Sequence, residues 1–198
     1  MRYDADHKQR SRERVIAEAA KAIRCDGPHA ISVAGVMGAA GLTHGAFYAH
    51  FESRDALLLA GIDRMFEEGR ARILSEVTKG FPAKTALTNY IGFYLSRSHR
   101  DSRTAGCPLP FLAAEAPRLN AEMRARYAEG ARNLTGALAD LLREMDFPEP
   151  DTTAASVLAE MVGAVSLARA EPDPDRSYAI LTASRASLKA RLGLEDLQ

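Results

Sequence analysis

The chain has 198 residues, 46% hydrophobic and 26% charged, which predicts one ordinary domain or two small ones with a packed core and excludes a disordered chain. Lys and Arg balance Asp and Glu at 26 each, so no overall field points to a partner, and two cysteines, Cys25 and Cys107, exclude a disulfide framework or a metal spacing. No apolar run approaches about 18 residues and the N-terminus lacks an apolar signal region, so the expectation is a cytoplasmic protein with reduced thiols and no membrane span.

In chain order, Lys8–Cys25 predicts a helix with Val15, Ile16, Ala19, Ala20 and Ile23 on one face, stopped by Asp26-Gly27-Pro28. Ser32 caps a second short helix whose Val33, Val36, Met37 and Ala40 point inward, and Gly41 breaks it. Thr43 is placed to cap a third helix with its hydroxyl, and Ser53 a fourth. The fourth, about Arg54 to Val77, keeps a 3.6-residue apolar period through Leu57, Leu58, Ile62, Met65, Phe66 and Ile73 and ends before Gly80-Phe81-Pro82. Pro82–Ser96 reads as helix, Arg97–Gly106 as a polar loop, Pro108–Ala116 as a short helix and Asn120–Met145 as a long one. Asp151 or Thr152 caps a helix to Ala170, and Pro174 opens a last one to about Leu192. No strand, repeat or low-complexity tract is evident, so the fold class is all-α.

Charge is uneven along the chain. Residues 1–25 hold seven Lys or Arg (Arg2, Lys8, Arg10, Arg12, Arg14, Lys21, Arg24) against four acids, whereas residues 1–55 hold eight against seven. One subunit thus offers a small basic footprint, and a dimer doubles it.

The segment Ser32–Phe51 is the most informative. Two short helices flank a turn at Gly41, and the second has few long side chains on its outer face. Phe47 and Phe51, four apart, share an inward face, leaving Gly45, Ala46, Tyr48 and Ala49 outward or beside it. A helix thinned in this way can approach a surface closely, and the DNA major groove is the partner that most often demands it. Ser32, Thr43 and Arg54 stand at helix starts, where backbone N–H groups favour phosphate.

The run Gly-Leu-Thr-His-Gly-Ala-Phe-Tyr-Ala-His-Phe-Glu-Ser-Arg-Asp-Ala-Leu-Leu, residues 41–58, resembles the DNA-binding head of the TetR family of transcriptional regulators, and the likeness extends back through Arg14–Ala20. It covers about a quarter of the chain closely; the remainder agrees in helix number and length. The resemblance implies a three-helix helix-turn-helix head over residues 1–53 and a helical ligand-binding and dimerisation domain over residues 54–198. It further implies a homodimer on a double-stranded operator, a repressor released by a small-molecule effector, and no cofactor. Ser32, Thr43, Tyr48, His50 and Arg54 then contact the DNA backbone, and His44, Gly45 and Ala46 lie near base edges. Arg54 stands where family members commonly carry Lys. Arg10 and Arg12 brace the backbone or reach the minor groove.

Competing readings are kept for several residues. His50 divides between phosphate contact and packing. Tyr90, Phe93, Tyr94, Phe111, Met123, Tyr127 and Leu134 lie on segments that line a ligand cavity in the family, and ordinary core is the alternative for each. Cys107, in Gly106-Cys107-Pro108, falls at an expected helix N-cap, where a thiol can become a reactive thiolate; an electrophile- or oxidant-sensing repressor is therefore an alternative, against a purely structural cysteine. Pro108 and Pro110 lack N–H groups and weaken the sensor case. Small Ala155, Ala159 and Gly163 beside Val157, Leu158, Met161, Val162 and Val165, with the stripe Tyr178, Leu181, Leu188 and Leu192, predict a four-helix dimer interface. No phosphate loop, metal cluster or catalytic triad is placed, so no enzyme is expected. A helical interaction module without DNA binding is the third class.

Overall fold

The computed structural model describes residues 2–195, with side chains from residue 6 onward, so the Arg2 side chain of the basic segment lies outside the described residues. The first helix, α1 (Arg2–Asp26), buries Val15, Ile16, Ala19, Ala20 and Ile23, the expected apolar face. It ends at Gly27, whose φ of +79° suits glycine and whose N–H reaches Ile23 O at 3.0 Å. Ser32 caps α2 (Val33–Ala39), its Oγ accepting from Gly35 N–H at 3.0 Å, and Gly41 (φ +71°) closes it with a bond from Leu42 N–H to Met37 O. A 3-10 helix, His44–Ala49, follows, and then the long α3 (Arg54–Thr78), capped by Ser53 Oγ accepting from Ala56 N–H.

Beyond α3 come α4 (Ala83–Tyr94), α5 (Arg97–Asp101), α6 (Leu109–Leu112), a 3-10 turn Ala116–Arg118, α7 (Ala121–Glu144), α8 (Pro150–Ala170) and α9 (Pro174–Arg191). The described residues contain no strand. Two local expectations need correction. The first half of the predicted loop Arg97–Gly106 is helical, because Ser96 Oγ caps it by accepting from His99 N–H. The helix expected to begin at Asp151 or Thr152 begins at Pro150, with Glu149 flanking it in the left-handed region at φ 48°. Asp173 caps α9 with bonds from the N–H groups of Asp175 and Arg176, and Pro174 takes the first helical position as expected.

Contacts divide the chain into two compact units: Met1–Glu67 with Arg103–Gly130, and Glu68–Ser102 with Ala131–Gln198. In the first, α1 packs on α2 and α2 on the 3-10 helix. Asp55 accepts from Asn120 Nδ2, Asn120 itself caps α7 through Met123 N–H, and the Phe66 ring meets Tyr127 edge-on at 5.8 Å. In the second, α8 packs on α9, and both touch α4.

α8 corrects the expectation about apolar runs. It is long and apolar enough, by length and composition, to cross a membrane, with a mean hydropathy of 1.2 over its best window. Its many alanines raise that mean without forming a visibly greasy run. The helix buries Ala154, Val157, Leu158, Met161, Ala164, Val165 and Ala168 inside its own unit.

Candidate nucleic-acid interface

The 3-10 helix His44–Ala49 hangs on two aromatic anchors. Phe47 and Phe51 are both buried, and their rings stack at 5.8 Å. Phe47 and Tyr48 are sequence neighbours with opposite fates: Phe47 is 2% exposed and Tyr48 73%, the two rings meeting edge-on at 5.2 Å. A tyrosine that bare has little intramolecular role. In a 3-10 helix residues three apart eclipse, so Gly45 and Tyr48 share a face. A methyl built on Gly45 would meet nothing within 4 Å. The thinness of this helix therefore serves no packing inside the subunit; it clears space outward. Thr43, His44 and Gly45 are exposed, and Ala46 is half-buried.

Three expectations about individual residues change here. The third helix is 3-10 rather than α. Thr43 holds the N-cap position, but its side chain makes no capping bond. Most consequentially, the Arg54 guanidinium is engaged inside the head. It donates from Nε to Ile31 O at 3.1 Å, and from Nη2 to Pro28 O at 2.7 Å and His29 O at 3.3 Å. Through these bonds Arg54 organises the loop that leads to Ser32, whose side chain is exposed at the start of α2. Arg24, counted in the basic footprint, is also removed from it. It is 4% exposed and donates to backbone carbonyls.

His50 sits at the end of the 3-10 helix, half-buried, with its Nδ1 enclosed and lacking a hydrogen-bond partner. Burial pulls its pKa below the usual imidazole value, and the Lys8 and Arg12 charges add to that. Arg12 itself lies over the Phe51 ring at 5.0 Å.

Cys107 does not occupy a helix N-cap. α6 starts at Leu109 with Pro108 flanking it, and Cys107 is buried one residue further out. Of the two arginines that precede Cys107 in sequence, Arg100 binds Asp101 and Ser177, while Arg103 donates to Cys25 O.

Of the residues considered for a ligand cavity, Phe111, Met123 and Tyr127 belong to the first unit, and Tyr90, Phe93, Tyr94 and Leu134 to the second. Tyr90, Tyr94, Met123 and Leu134 are buried; Phe93, Phe111 and Tyr127 are partly exposed. Burial raises the Tyr127 pKa, with Cys107 adding to the shift. Sequence reading missed His99, 2% exposed between the rings of Phe93 and Tyr94, because it stands in an apparently polar loop. Among the described residues no cluster of His, Cys, Asp and Glu is arranged for a metal ion.

A glycine-closed short helix followed by an exposed, side-chain-poor helix on a buried aromatic anchor defines a helix-turn-helix head, the hallmark of one class of DNA-binding regulators. Residues 15–60 match the family model described as bacterial regulatory proteins, tetR family. Residues 83–176 match the model of the C-terminal domain of LmrA/YxaF-like transcriptional regulators. Among solved structures, a TetR transcriptional regulator from Chloroflexus aurantiacus is 26% identical, with 95% of this chain and 96% of that one covered at a TM-score of 0.79. The reduced form of Escherichia coli NemR (22% identity, 91% and 96% covered, TM-score 0.78) and a TetR-family regulator from Cytophaga hutchinsonii (21%, 97% and 98%, 0.79) share the fold. No curated protein matches the chain. With both halves of the fold matched, the chain belongs to the TetR family and is a transcriptional regulator.

Proposed function

We propose that this regulator is a homodimeric repressor that leaves its operator when a small molecule binds, with residues 1–53 as the DNA-binding domain and residues 54–198 as the ligand-binding and dimerisation domain. The 3-10 helix enters the major groove. His44, Gly45 and Ala46 lie near base edges, and Ser32, Thr43, Tyr48 and His50 hold the phosphate backbone. Arg54 acts one step back by shaping residues 28–31. The observation that carries this reading is the pairing of a bare Tyr48 with an unobstructed Gly45 on a helix whose other side is anchored by Phe47 and Phe51. The residues of α8 and α9 left uncovered within the subunit, Ala155, Ala159, Val162, Gly163 and Tyr178, supply the dimer contact, Val157, Leu158, Met161, Val165, Leu181, Leu188 and Leu192 being core of their own unit, and the effector binds within the larger helical domain. Release is a population shift: the effector binds better to the conformation whose heads no longer match the operator. The compartment is the one that holds the DNA, the cytoplasm.

The test is gel retardation of the protein's own upstream region. Retardation that weakens with salt is the expected result. Tyr48→Ala should lower operator affinity about tenfold, the size of one lost hydrogen bond to a charged group, and leave the thermal unfolding temperature unchanged. Undiminished binding by Tyr48→Ala would remove the 3-10 helix from the groove.

A further inference from the structure

Arg24 stands in the last turn of α1, where an apolar residue would continue the buried face. It is instead a guanidinium at 4% exposure. Its Nε donates to Gly106 O at 2.9 Å and its Nη1 to Thr104 O at 3.3 Å, across a sequence separation of 82 and 80 residues. The next residue repeats the connection. The Cys25 thiol donates to Arg103 O at 3.7 Å, and Arg103 Nη2 donates back to Cys25 O at 3.5 Å. The end of α1 is thus clamped to residues 103–106 by donors from both sides, all within the first compact unit.

Packing alone does not account for a buried guanidinium, since an apolar residue of similar volume usually serves stability as well or better. A planar fork aimed at two carbonyls adds direction: it fixes the angle and register of the helix end, which a Met or Leu cannot. α1 packs on α2, and α2 packs on the 3-10 helix that carries Gly45 and Tyr48, so packed elements link the α1 end to that helix.

We propose that Arg24 is a positioning residue for operator recognition, through which residues 103–106 set the pose of the helix-turn-helix. The segment is a handle on the head. Moving it tilts α1 and with it the groove-entering helix, without any contact between Arg24 and DNA. The proposal rests on the DNA-binding reading above.

The test uses the full-length protein and the duplex that wild type selects from a random library. Arg24→Met removes the fork, Arg24→Lys keeps the charge as a point, and Arg103→Ala removes the return bond from an exposed position. Arg24→Met should lower affinity for the selected duplex about tenfold while affinity for an unrelated duplex of equal length is unchanged. The fall in that ratio is independent of the fraction of folded protein, so a merely structural role would not produce it. Arg24→Lys should recover part of the ratio. Modification of Cys25 by a disulfide reagent, followed by peptide mass spectrometry, should quicken several-fold in Arg24→Met as the clamp opens. Faster Cys25 modification with an unchanged ratio would overturn the proposal. So would an unchanged ratio in Arg103→Ala should Arg24→Met fail to fold. Failure of wild type to select any duplex would instead overturn the DNA-binding reading.

Discussion

Acidification from pH 7 to pH 4 is expected to remove about 3 kcal/mol of folding stability through His99 alone. His99 is buried against Phe93 and Tyr94, and its Nδ1–H donates to Tyr94 O at 2.7 Å, satisfying a carbonyl at the end of α4. Burial pulls its pKa from 6.5 to about 4; the bond to Tyr94 works against that, and the charges of Arg169 and Arg72 work with it. Arg169 is close because its guanidinium donates to the carbonyls of His99 and Arg100. The sign follows from proton counts. Between about pH 6.5 and pH 4 the unfolded chain holds the proton that folded His99 refuses, so stability rises with pH across that window. The contribution is intact above the unfolded value and lost on falling to the folded one. Urea denaturation at pH 7, 5.5 and 4.5 measures the slope. Carboxylates such as Asp101, held low by its bond to Arg100, add an acid sensitivity of their own. The comparison with His99→Asn is therefore decisive. Asparagine keeps an N–H for Tyr94 O and cannot charge; it should be less stable than wild type at pH 7 and show a visibly flatter slope. An identical slope in the two proteins would rule His99 out as the source.

Gly130→Ala is expected to destabilise the fold by about 2 kcal/mol. Two effects oppose each other. Alanine in a helix interior gains about 1 kcal/mol over glycine. Against this, a methyl at Gly130 would lie 2.2 to 2.6 Å from three ring atoms of Phe66. These atoms include the point where the ring joins its stem, so the ring cannot simply swing aside. Phe66 is itself buried and stacked edge-on with Tyr127, and displacing it overpacks the site at a cost of about 1–3 kcal/mol, here toward the upper end. Crowding wins. A double-mutant cycle with Phe66→Ala separates the terms, because removing the ring should reverse the sign and let Gly130→Ala stabilise. Gly61 gives the contrast within the same unit. A methyl there meets only the terminal Cδ1 of Ile23 below 3.4 Å, an end group that can rotate away, so Gly61→Ala should be close to neutral.

What could be read from the sequence is what short-range chemistry decides. Gly27, Gly41 and Gly80 all adopt positive φ where helices were expected to stop, and Ser32 and Ser53 accept the capping bonds expected of them. Each of these depends on partners within four residues. Phe47 and Phe51 were legible for the same reason, through helical spacing. The roles of Arg24, Arg54 and His99 were not. Their partners lie across the fold or in irregular loops, and a basic residue near a DNA-binding motif looks the same whether its guanidinium faces phosphate or a carbonyl of its own chain. The Glu149 boundary was missed because a left-handed glutamate has no local signature. The N-cap expected at Cys107 falls one residue on, at Pro108.

The internal use of Arg54 and Arg24 has a consequence for how the protein responds to electrolyte. Each cation that grips a phosphodiester liberates condensed counterions, and the count sets the steepness of log affinity against log salt. With these two guanidinium groups turned inward, fewer counterions leave the duplex per subunit. Titration with KCl should therefore give a shallower line than a head whose cations at those positions face the phosphates, and discrimination between operators should come from fit to the groove rather than ionic strength.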